Sequence, residues 1–143
     1  MIALASDHGG FDYKERTKAL LGELGLAWKD FGTDSDASVD YPDFAHAAAK
    51  AIVSGECERG IFICGTGIGI SLAANRHKGI RAAACQIPDA ARMSRLHNDA
   101  NVLALGQRLI DWDTAAEMIR LWLETPFEGG RHERRIHKIE IDA

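Results

Sequence analysis

The chain has 143 residues, of which 46% are hydrophobic and 27% charged, and these proportions exclude a disordered or fibrous protein. Its 17 basic and 21 acidic residues give a formal net charge of -4, which disfavours nucleic-acid binding through general neutralisation of phosphates. The length suits a single domain, residues 1–143, that needs neither a disulfide nor a structural metal.

In the first half of the chain, short apolar runs alternate with amphipathic stretches. Strands are predicted at 2–5 and 26–31, and helices at about 11–25 and 42–54, with Pro42 in the first turn of the second helix. The residues expected to share one face of the first helix are Tyr13, Leu20, Leu21 and Leu24. Those expected on one side of the second helix are Phe44, Ala47, Ala48, Ala51 and Ile52.

In the second half, strands are predicted at 60–64, 80–85 and 102–105. The run 60–64 is wholly apolar, as expected for a central strand of a parallel sheet. One helix is predicted from the glycine-rich turn that follows Cys64 to about residue 76, and two more are predicted at 89–97 and 112–124. The last of these has the clearest helical spacing, in Ala115, Met118, Ile119, Trp122 and Leu123. Residues 126–143 form a basic tail with Ile136 and Ile139 at helical positions.

Five strands, each followed by a helical segment, predict a three-layer αβα sandwich with a five-stranded parallel, Rossmann-like sheet. The order of the strands cannot be read from the sequence. Because ligands of such folds bind beyond the carboxyl ends of the strands, three segments become candidate sites. They are residues 6–10, residues 64–69 and the surroundings of Gly106.

The segment Cys64-Gly65-Thr66-Gly67-Ile68-Gly69-Ile70-Ser71 follows a buried strand and opens a helix. Its glycines allow backbone N–H groups to converge on a ligand, and the helix start adds partial positive charge, so the turn is a candidate anion site. A dinucleotide-binding G-x-G-x-x-G is excluded, since Ile70 stands where the third glycine is required. The alternative is a tight turn that binds nothing.

Cys64 lies at the mouth of this turn, where a thiolate could act as a base or nucleophile. Lowering a thiol pKa by roughly 1.5 units requires about 2 kcal/mol. A helix N-terminus supplies up to about 2 kcal/mol in partly buried settings, so the turn could just suffice. The alternative is a buried structural cysteine, which is the role predicted for Cys57 and Cys85.

Two further pairs carry polar side chains suited to chemistry. Asp7-His8 ends the first strand; histidine can move protons or bind phosphate, and aspartate can accept from sugar hydroxyls, although Asp7 could simply cap the next helix. His97-Asn98 ends a helix, where a histidine can offset the helix dipole. The remaining histidines are expected to be solvated and without a role; they are His46, His77, His132 and His137.

Three arginines are candidates for phosphate binding. Arg108 follows Gly106, and Arg131 and Arg135 are spaced i, i+4 in the tail, so that two guanidinium groups would share one helical face. A solvated charged face is the alternative. No histidine pair has the H-x-x-x-H spacing of zinc enzymes, so no metal site is predicted.

Three cysteines without C-x-x-C spacing disfavour a disulfide framework or a structural zinc site and favour a reducing compartment. The N-terminal apolar run stops before Asp7, which is too short for a secretory signal. No stretch approaches the roughly 18 apolar residues of a membrane span. We therefore expect a cytoplasmic protein with no membrane partner.

Taken together, these motifs give a family resemblance over nearly the whole chain. The matching motifs are Asp7-His8-Gly9-Gly10, Asp40-Tyr41-Pro42, the turn 64–71, Ala74-Asn75, Gly79-Ile80-Arg81-Ala82, Ser94-Arg95, His97-Asn98-Asp99, Asn101-Val102-Leu103-Ala104 and Gly129-Gly130-Arg131-His132. The chain resembles ribose-5-phosphate isomerase type B, a sugar-phosphate isomerase family that includes galactose-6-phosphate isomerase subunits. Motifs in this order are far more specific than any one of them.

The resemblance implies an aldose–ketose isomerase without metal or cofactor that interconverts ribose 5-phosphate and ribulose 5-phosphate in the pentose phosphate pathway. Some relatives carry a glutamate base a few residues beyond Cys64; here that position is Ile70, so the chain resembles the cysteine-base branch. The resemblance makes Cys64 the base, Thr66 the group that polarises the oxygens, and His97, helped by Asp7, the group that opens the ring.

The resemblance also implies the binding residues. The anion hole would be the backbone of Gly65, Gly67, Ile68, Gly69 and Ile70. The phosphate ligands would be His8, Arg108, Arg131 and Arg135. Tyr41 and Asn98 would line the sugar site. Members are homodimers or homotetramers whose sites are shared between subunits.

Three alternatives stay open at the level of sequence. The substrate could be a six-carbon phosphate such as allose or galactose 6-phosphate. The chain could be a non-catalytic sugar-phosphate-binding protein, although such a protein would not need Cys64 and His97 together. A thiol redox role is disfavoured, since no resolving cysteine is close in sequence.

Overall fold

The computed structural model describes residues 1–141. The strands are β1 (Ile2–Ser6), β2 (Trp28–Asp30), β3 (Arg59–Cys64), β4 (Ala82–Ala84) and β5 (Val102–Gly106). The helices are α1 (Phe11–Glu23), α2 (Tyr41–Val53), α3 (Ile68–Ala74), α4 (Pro88–Asn98), α5 (Trp112–Glu124) and α6 (Arg131–His137), with a 3-10 turn at His8–Gly10. Within residues 1–141, no helix has the length and apolar character to cross a membrane.

The five strands form one parallel sheet in the order β2-β1-β3-β5-β4, which confirms the predicted fold class. From β1 the chain first moves outward to β2 and then returns to the other side of β1 as β3. This reversal leaves a crevice outside the carboxyl ends of β1 and β3, where ligands of open α/β sheets bind. Asp7-His8 and the glycine turn follow those two strands.

Alternating side chains of the central strands build two separate cores. Ile61 and Ile63 of β3 pack on one face with α1, α4 and α5, whereas Phe62 and Cys64 pack on the other with α2 and α3. Both faces of β3 are therefore covered, which explains why its sequence is continuously apolar rather than alternating. The Cys64 side chain consequently leaves the sheet on the α2 and α3 face.

Most of the predicted elements are confirmed, but their edges and some faces differ. The edge strands β2 and β4 have only three residues each, much shorter than predicted. Leu24 is exposed because α1 ends at Glu23 and Leu24 caps the helix. On α2 the predicted Ala47 is exposed, and the buried stripe runs through Ala45, Ala48, Ala49 and Ile52 instead.

A buried lysine is held at the outer end of the sheet. Lys14 of α1 is completely buried, and its Nζ lies 2.6 Å from Oδ2 of Asp30 at the end of β2. Lys18 Nζ lies 2.7 Å from the same oxygen. Burial acts to raise the pKa of Asp30, but hydrogen bonds from Lys14, Lys18 and the Gly32 amide outweigh it and leave this pKa below its ordinary value.

Replacing Asp30 with asparagine is therefore expected to lower the free energy of unfolding at pH 7 by about 2–4 kcal/mol, because it removes the closest partner of a buried ammonium group. Glu15, 3.5 Å from Lys14 Nζ, limits the loss. Denaturant unfolding measures the change, and Glu56→Gln, which breaks the exposed pair with Lys29, is the control expected to change stability little. Equal stability of Asp30→Asn and the original chain would contradict this account.

The same pair gives a pH dependence of defined sign. A carboxylate whose pKa is lowered by folding stabilises the protein above its unfolded pKa and loses that contribution in acid. The stability difference between the original chain and Asp30→Asn should therefore narrow as the pH falls below 3.8, the ordinary value for this carboxyl.

Candidate active site

The glycine turn surrounds the sulfur of Cys64 with backbone. β3 ends at Cys64, and Gly67 has φ 78°, which a residue with a side chain rarely adopts, before α3 begins at Ile68. This bend brings the Gly67 amide to 3.1 Å from Sγ, to which it donates. The Ile68 amide donates to Thr66 Oγ1 at 3.2 Å, which leaves the hydroxyl hydrogen of Thr66 available to another acceptor.

The environment of Cys64 differs from that of the other two cysteines. All three are free and buried, as predicted for Cys57 and Cys85. Burial raises the pKa of the Cys85 thiol to about 11, and its Sγ donates to the Ala83 carbonyl, a contact that requires the proton. Cys64 instead accepts from an amide, a contact that stabilises negative charge on sulfur. The direction of the hydrogen bond distinguishes the candidate base Cys64 from Cys85.

Neighbouring loops reach the turn only because glycines allow close approach. A Cβ on Gly9 would lie 3.1 Å from the Gly65 nitrogen, and one on Gly10 would lie 2.3 Å from the Ile63 oxygen. A Cβ on Gly106, at the end of β5, would lie 2.5 Å from the Thr66 carbonyl carbon. The ends of β1, β3 and β5 are thereby packed backbone against backbone.

Gly106→Ala is expected to displace this turn, since the new methyl would meet backbone and not a flexible side chain. We expect the free energy of unfolding to fall by about 1–3 kcal/mol. A shift of about 1 Å near reacting groups costs on the order of 10²-fold in rate, so kcat should fall as well. The control is Gly22→Ala in α1, where an added Cβ meets nothing within 4 Å. That control should be more stable by about 0.5–1 kcal/mol. Similar behaviour of the two variants would contradict the close-packing account.

Asp7 and His8 lie beside the turn, on the 3-10 segment that follows β1. Asp7 is buried, and its Oδ1 accepts from the Gly9 amide at 2.9 Å, so the capping interpretation is confirmed for one of its oxygens. His8 Nδ1 accepts from the Val39 amide at 3.1 Å. The neutral ring therefore carries its hydrogen on Nε2, a donor suited to a phosphate oxygen.

Tyr41 and Arg108 border the turn on its other sides. The Tyr41 ring at the start of α2 lies 2.7 Å from the place that a Cβ on Gly69 would take. The Arg108 amide donates to the Gly65 carbonyl at 3.0 Å, and its exposed side chain also lies close to Gly65. Ile70 is fully buried in the core, so only its backbone can serve a ligand. We call residues 7, 8, 41, 64–70 and 108 the carboxyl-edge cluster.

The other predicted site residues lie at the opposite edge of the sheet. α4 leads from the carboxyl end of β4 to the amino end of β5, so His97 and Asn98 at its end lie near the beginnings of the strands. Arg81, which precedes β4, donates to the Asn98 carbonyl at 3.2 Å. We call His97, Asn98, Arg131 and Arg135 the amino-edge cluster. The structure does not bring it to Cys64 within one chain.

The C-terminal tail packs its helix against the end of α4. The Glu128 amide donates to the Leu96 carbonyl at 3.0 Å, and the rings of His97 and His132 stack with centroids 4.5 Å apart. Arg131 and Arg135 are exposed, one turn apart on α6. The tail thus places two guanidinium groups on the helix that carries the stacking partner of His97. Its last two residues, 142 and 143, lie outside the described residues.

The prediction of a solvated His132 is wrong. Its side chain is 92% buried, since only 8% is exposed, and burial, together with His97 and Arg131, lowers its pKa. The spacing of His132 and Ile136, i, i+4, is the signal that places both on the buried face of α6. His46 and His77 are also not freely solvated, since their ring nitrogens lie 2.7 Å apart; His137 is exposed as predicted.

A sulfur that accepts from a backbone amide in a glycine turn, with an arginine close by at the carboxyl edge of a parallel sheet, is the arrangement of an α/β enzyme that acts on an anionic substrate. The comparisons with known proteins give the family. The model of the Ribose/Galactose Isomerase family matches residues 2–139. The chain therefore belongs to that family, and it is an aldose–ketose isomerase of sugar phosphates.

The chain is similar to individual members over almost its whole length. It is 46% identical to ribose-5-phosphate isomerase B of Escherichia coli (strain K12) over 138 residues, which cover 96% of this chain and 93% of the relative. Its fold matches the structure of Clostridium thermocellum ribose-5-phosphate isomerase B with a TM-score of 0.95 and 53% identity, over 96% of this chain and 93% of that one. A ribose 5-phosphate isomerase from Thermotoga maritima matches with a TM-score of 0.94 and 53% identity, over 96% and 95% of the two chains.

Proposed function

We propose that the chain interconverts D-ribose 5-phosphate and D-ribulose 5-phosphate through an enediolate, with Cys64 as the base. The observation that carries this proposal is the amide of Gly67 donating to Sγ at the mouth of the glycine turn. The similarity to ribose-5-phosphate isomerases of comparable length supports the substrate. Since the chain is an isomerase, the alternative of a non-catalytic sugar-phosphate binder is set aside.

The chemistry follows from the positions around the turn. A base takes the proton from C2 of the open-chain aldose and returns it to C1, so that negative charge develops on the two oxygens between these steps. Thr66, whose hydroxyl hydrogen is available, and the amides of the turn other than those of Gly67 and Ile68 are placed to meet that charge. A positioned base contributes typically about 10²–10⁴-fold and one oxyanion donor about 10²–10³-fold.

The two clusters support a site that is completed by a second copy of the chain. The carboxyl-edge cluster holds the base and the turn, while the amino-edge cluster holds the ring-opening His97 and two arginines. Because they lie at opposite edges of one sheet, they can act on one substrate only if two chains contribute. A symmetric dimer would pair the edges twice and make two equal sites, and a tetramer would combine two such dimers.

In the complete site, the substrate would be held at both ends. His8 and Arg108 of one chain, and Arg131 and Arg135 of the other, surround the phosphate, with Tyr41 and Asn98 beside the sugar. Asp7 of the first chain and His97 of the second act together in opening the ring. Binding the phosphate away from the reacting carbons orients C1 and C2 against Sγ, and such orientation can contribute several kcal/mol.

The substrate assignment is tested with purified protein on a panel of aldose phosphates. We expect kcat/KM to be highest for ribose 5-phosphate and lower for allose and galactose 6-phosphates, and we expect that a chelator will not lower it. Cys64→Ala purified in the same way reports any contaminating isomerase from the host. A higher kcat/KM on a six-carbon phosphate would contradict the proposal and establish the alternative substrate.

A further inference from the structure

A group of potential metal ligands lies at the amino edge, where the tail meets α4. One ligand atom each from His97, Glu128 and His132 lies within 4.8 Å of the other two. His132 Nε2 is 3.8 Å from Glu128 Oε1, too far for a hydrogen bond. We infer that these three residues form a site for a divalent transition-metal ion such as Zn²⁺, and that the bound ion inhibits the isomerase.

The buried nitrogen of His132 is the first independent support. The side chain of His132 is 92% buried, yet its Nε2 atom has no hydrogen-bond partner in the described part of the chain. Burying a polar atom without a partner costs free energy, so such an atom in a folded protein calls for an explanation. An ion held between Nε2 and the Glu128 carboxylate would satisfy both groups.

The types of ligand suit zinc. Imidazole nitrogens and a carboxylate are preferred by Zn²⁺, and two histidines with one glutamate leave a fourth position open for water. Bonds of about 2.0–2.1 Å in a tetrahedron place ligand atoms about 3.3 Å apart, so the ligand atoms, now within 4.8 Å of one another, must approach by up to about 1.5 Å through side-chain rotation. Glu128 is about half exposed and His97 partly exposed, which leaves the site open to the solvent.

Nearby charges and the neighbouring ring set limits on this site. Arg131 and Arg135 lie on the same helix as His132 and repel a cation, so the affinity should be lower than that of a structural zinc site. The stacked rings of His97 and His132, inclined by 18°, must tilt for both nitrogens to face one ion. Binding would therefore fix His97 in a new orientation.

Inhibition rests on the proposed function, in which His97 opens the sugar ring of a substrate bound by the other chain. A nitrogen coordinated to Zn²⁺ cannot exchange a proton with the ring oxygen. Ring opening would stop, while Cys64 and the glycine turn would be unaffected. Zinc should consequently lower turnover without unfolding the protein, and a chelator should restore it.

Binding is tested with the metal alone. Chelator-treated protein is titrated with ZnCl₂ in competition with a chromophoric chelator, and with CoCl₂, whose visible absorption reports tetrahedral coordination. We expect one ion per chain, and an affinity at least about tenfold weaker in Glu128→Gln. Glu133→Gln, an exposed acidic residue of the same helix, is the matched control and should bind as the original chain does.

Three results would overturn the inference: equal zinc affinity in Glu128→Gln and the original chain, loss of zinc binding in Cys64→Ser instead, or no dissociation constant below about 100 μM. In isomerase assays, zinc should inhibit the original chain and spare Glu128→Gln. If the chain isomerises none of the aldose phosphates, the proposed function fails, yet the zinc titration and the cobalt spectrum still decide the metal site.

Discussion

Replacing Cys64 with alanine is expected to lower kcat on ribose 5-phosphate by at least about 10²–10⁴-fold, the usual contribution of a positioned base. The substitution removes the atom that accepts the Gly67 amide and would take the C2 proton. Phosphate binding should persist, because His8 and the arginines are untouched. Coupled assays of kcat, together with calorimetric titration of the substrate, separate the two effects.

Cys85→Ala is the matched control for this substitution. Cys85 is as buried as Cys64, but it lies in the other core and donates to a carbonyl. Both variants remove a buried sulfur, so they should lose comparable stability, whereas only Cys64→Ala should lose turnover. Near-normal kcat in Cys64→Ala, or equal loss in both variants, would refute the assignment of Cys64 as the base.

Chains that carry two different inactivating substitutions are expected to restore activity to each other. Cys64→Ala and His97→Asn should each be inactive alone, since every site then lacks one of the two groups. In a mixed dimer, one site takes Cys64 from the His97→Asn chain and His97 from the Cys64→Ala chain and is intact, while the other site lacks both. Mixed dimers purified through two different tags should have about half of the original activity.

The arrangement of the two clusters makes this experiment decisive. If both groups came from the same chain, each chain of the mixed dimer would keep its own defect, and no activity would return. The control is a mixed dimer of Cys64→Ala with itself, carrying the same two tags, which must stay inactive. Recovery near one half would show that opposite edges of two sheets meet at one substrate.

Parts of the fold that depend on one clear periodic pattern could be predicted well from the sequence. α5 has the predicted bounds, Trp112–Glu124, because its apolar residues recur at helical spacing over more than two turns. The apolar β3 was also predicted within one residue. The edge strands β2 and β4 were predicted too long. An edge strand ends where its pairing stops, at Asp30 opposite Leu4 and at Ala84 opposite Ala104, and the local sequence does not show this pairing.

The candidate site likewise has parts that could be predicted from the sequence and parts that could not. Cys64 and the glycine turn could be identified because their geometry is local, fixed by residues within a few positions of one another. To predict that His97 lies far from Cys64, one would need to know the path of α4 through the fold. The burial of His132 and its proximity to Glu128 depend on how the tail packs against that helix, which short-range spacing cannot reveal.

The order of the strands has a consequence for synthesis on the ribosome. β4 pairs only with β5, although it is translated first, so residues 82–84 emerge with no strand to join. The edge of β3 that will receive β5 stays uncovered during the same interval. The strands β1, β2 and β3 can therefore assemble as translation proceeds, whereas β4 must wait for Val102–Gly106. A nascent chain arrested before that point would expose the apolar edge of β3, which is open to aggregation.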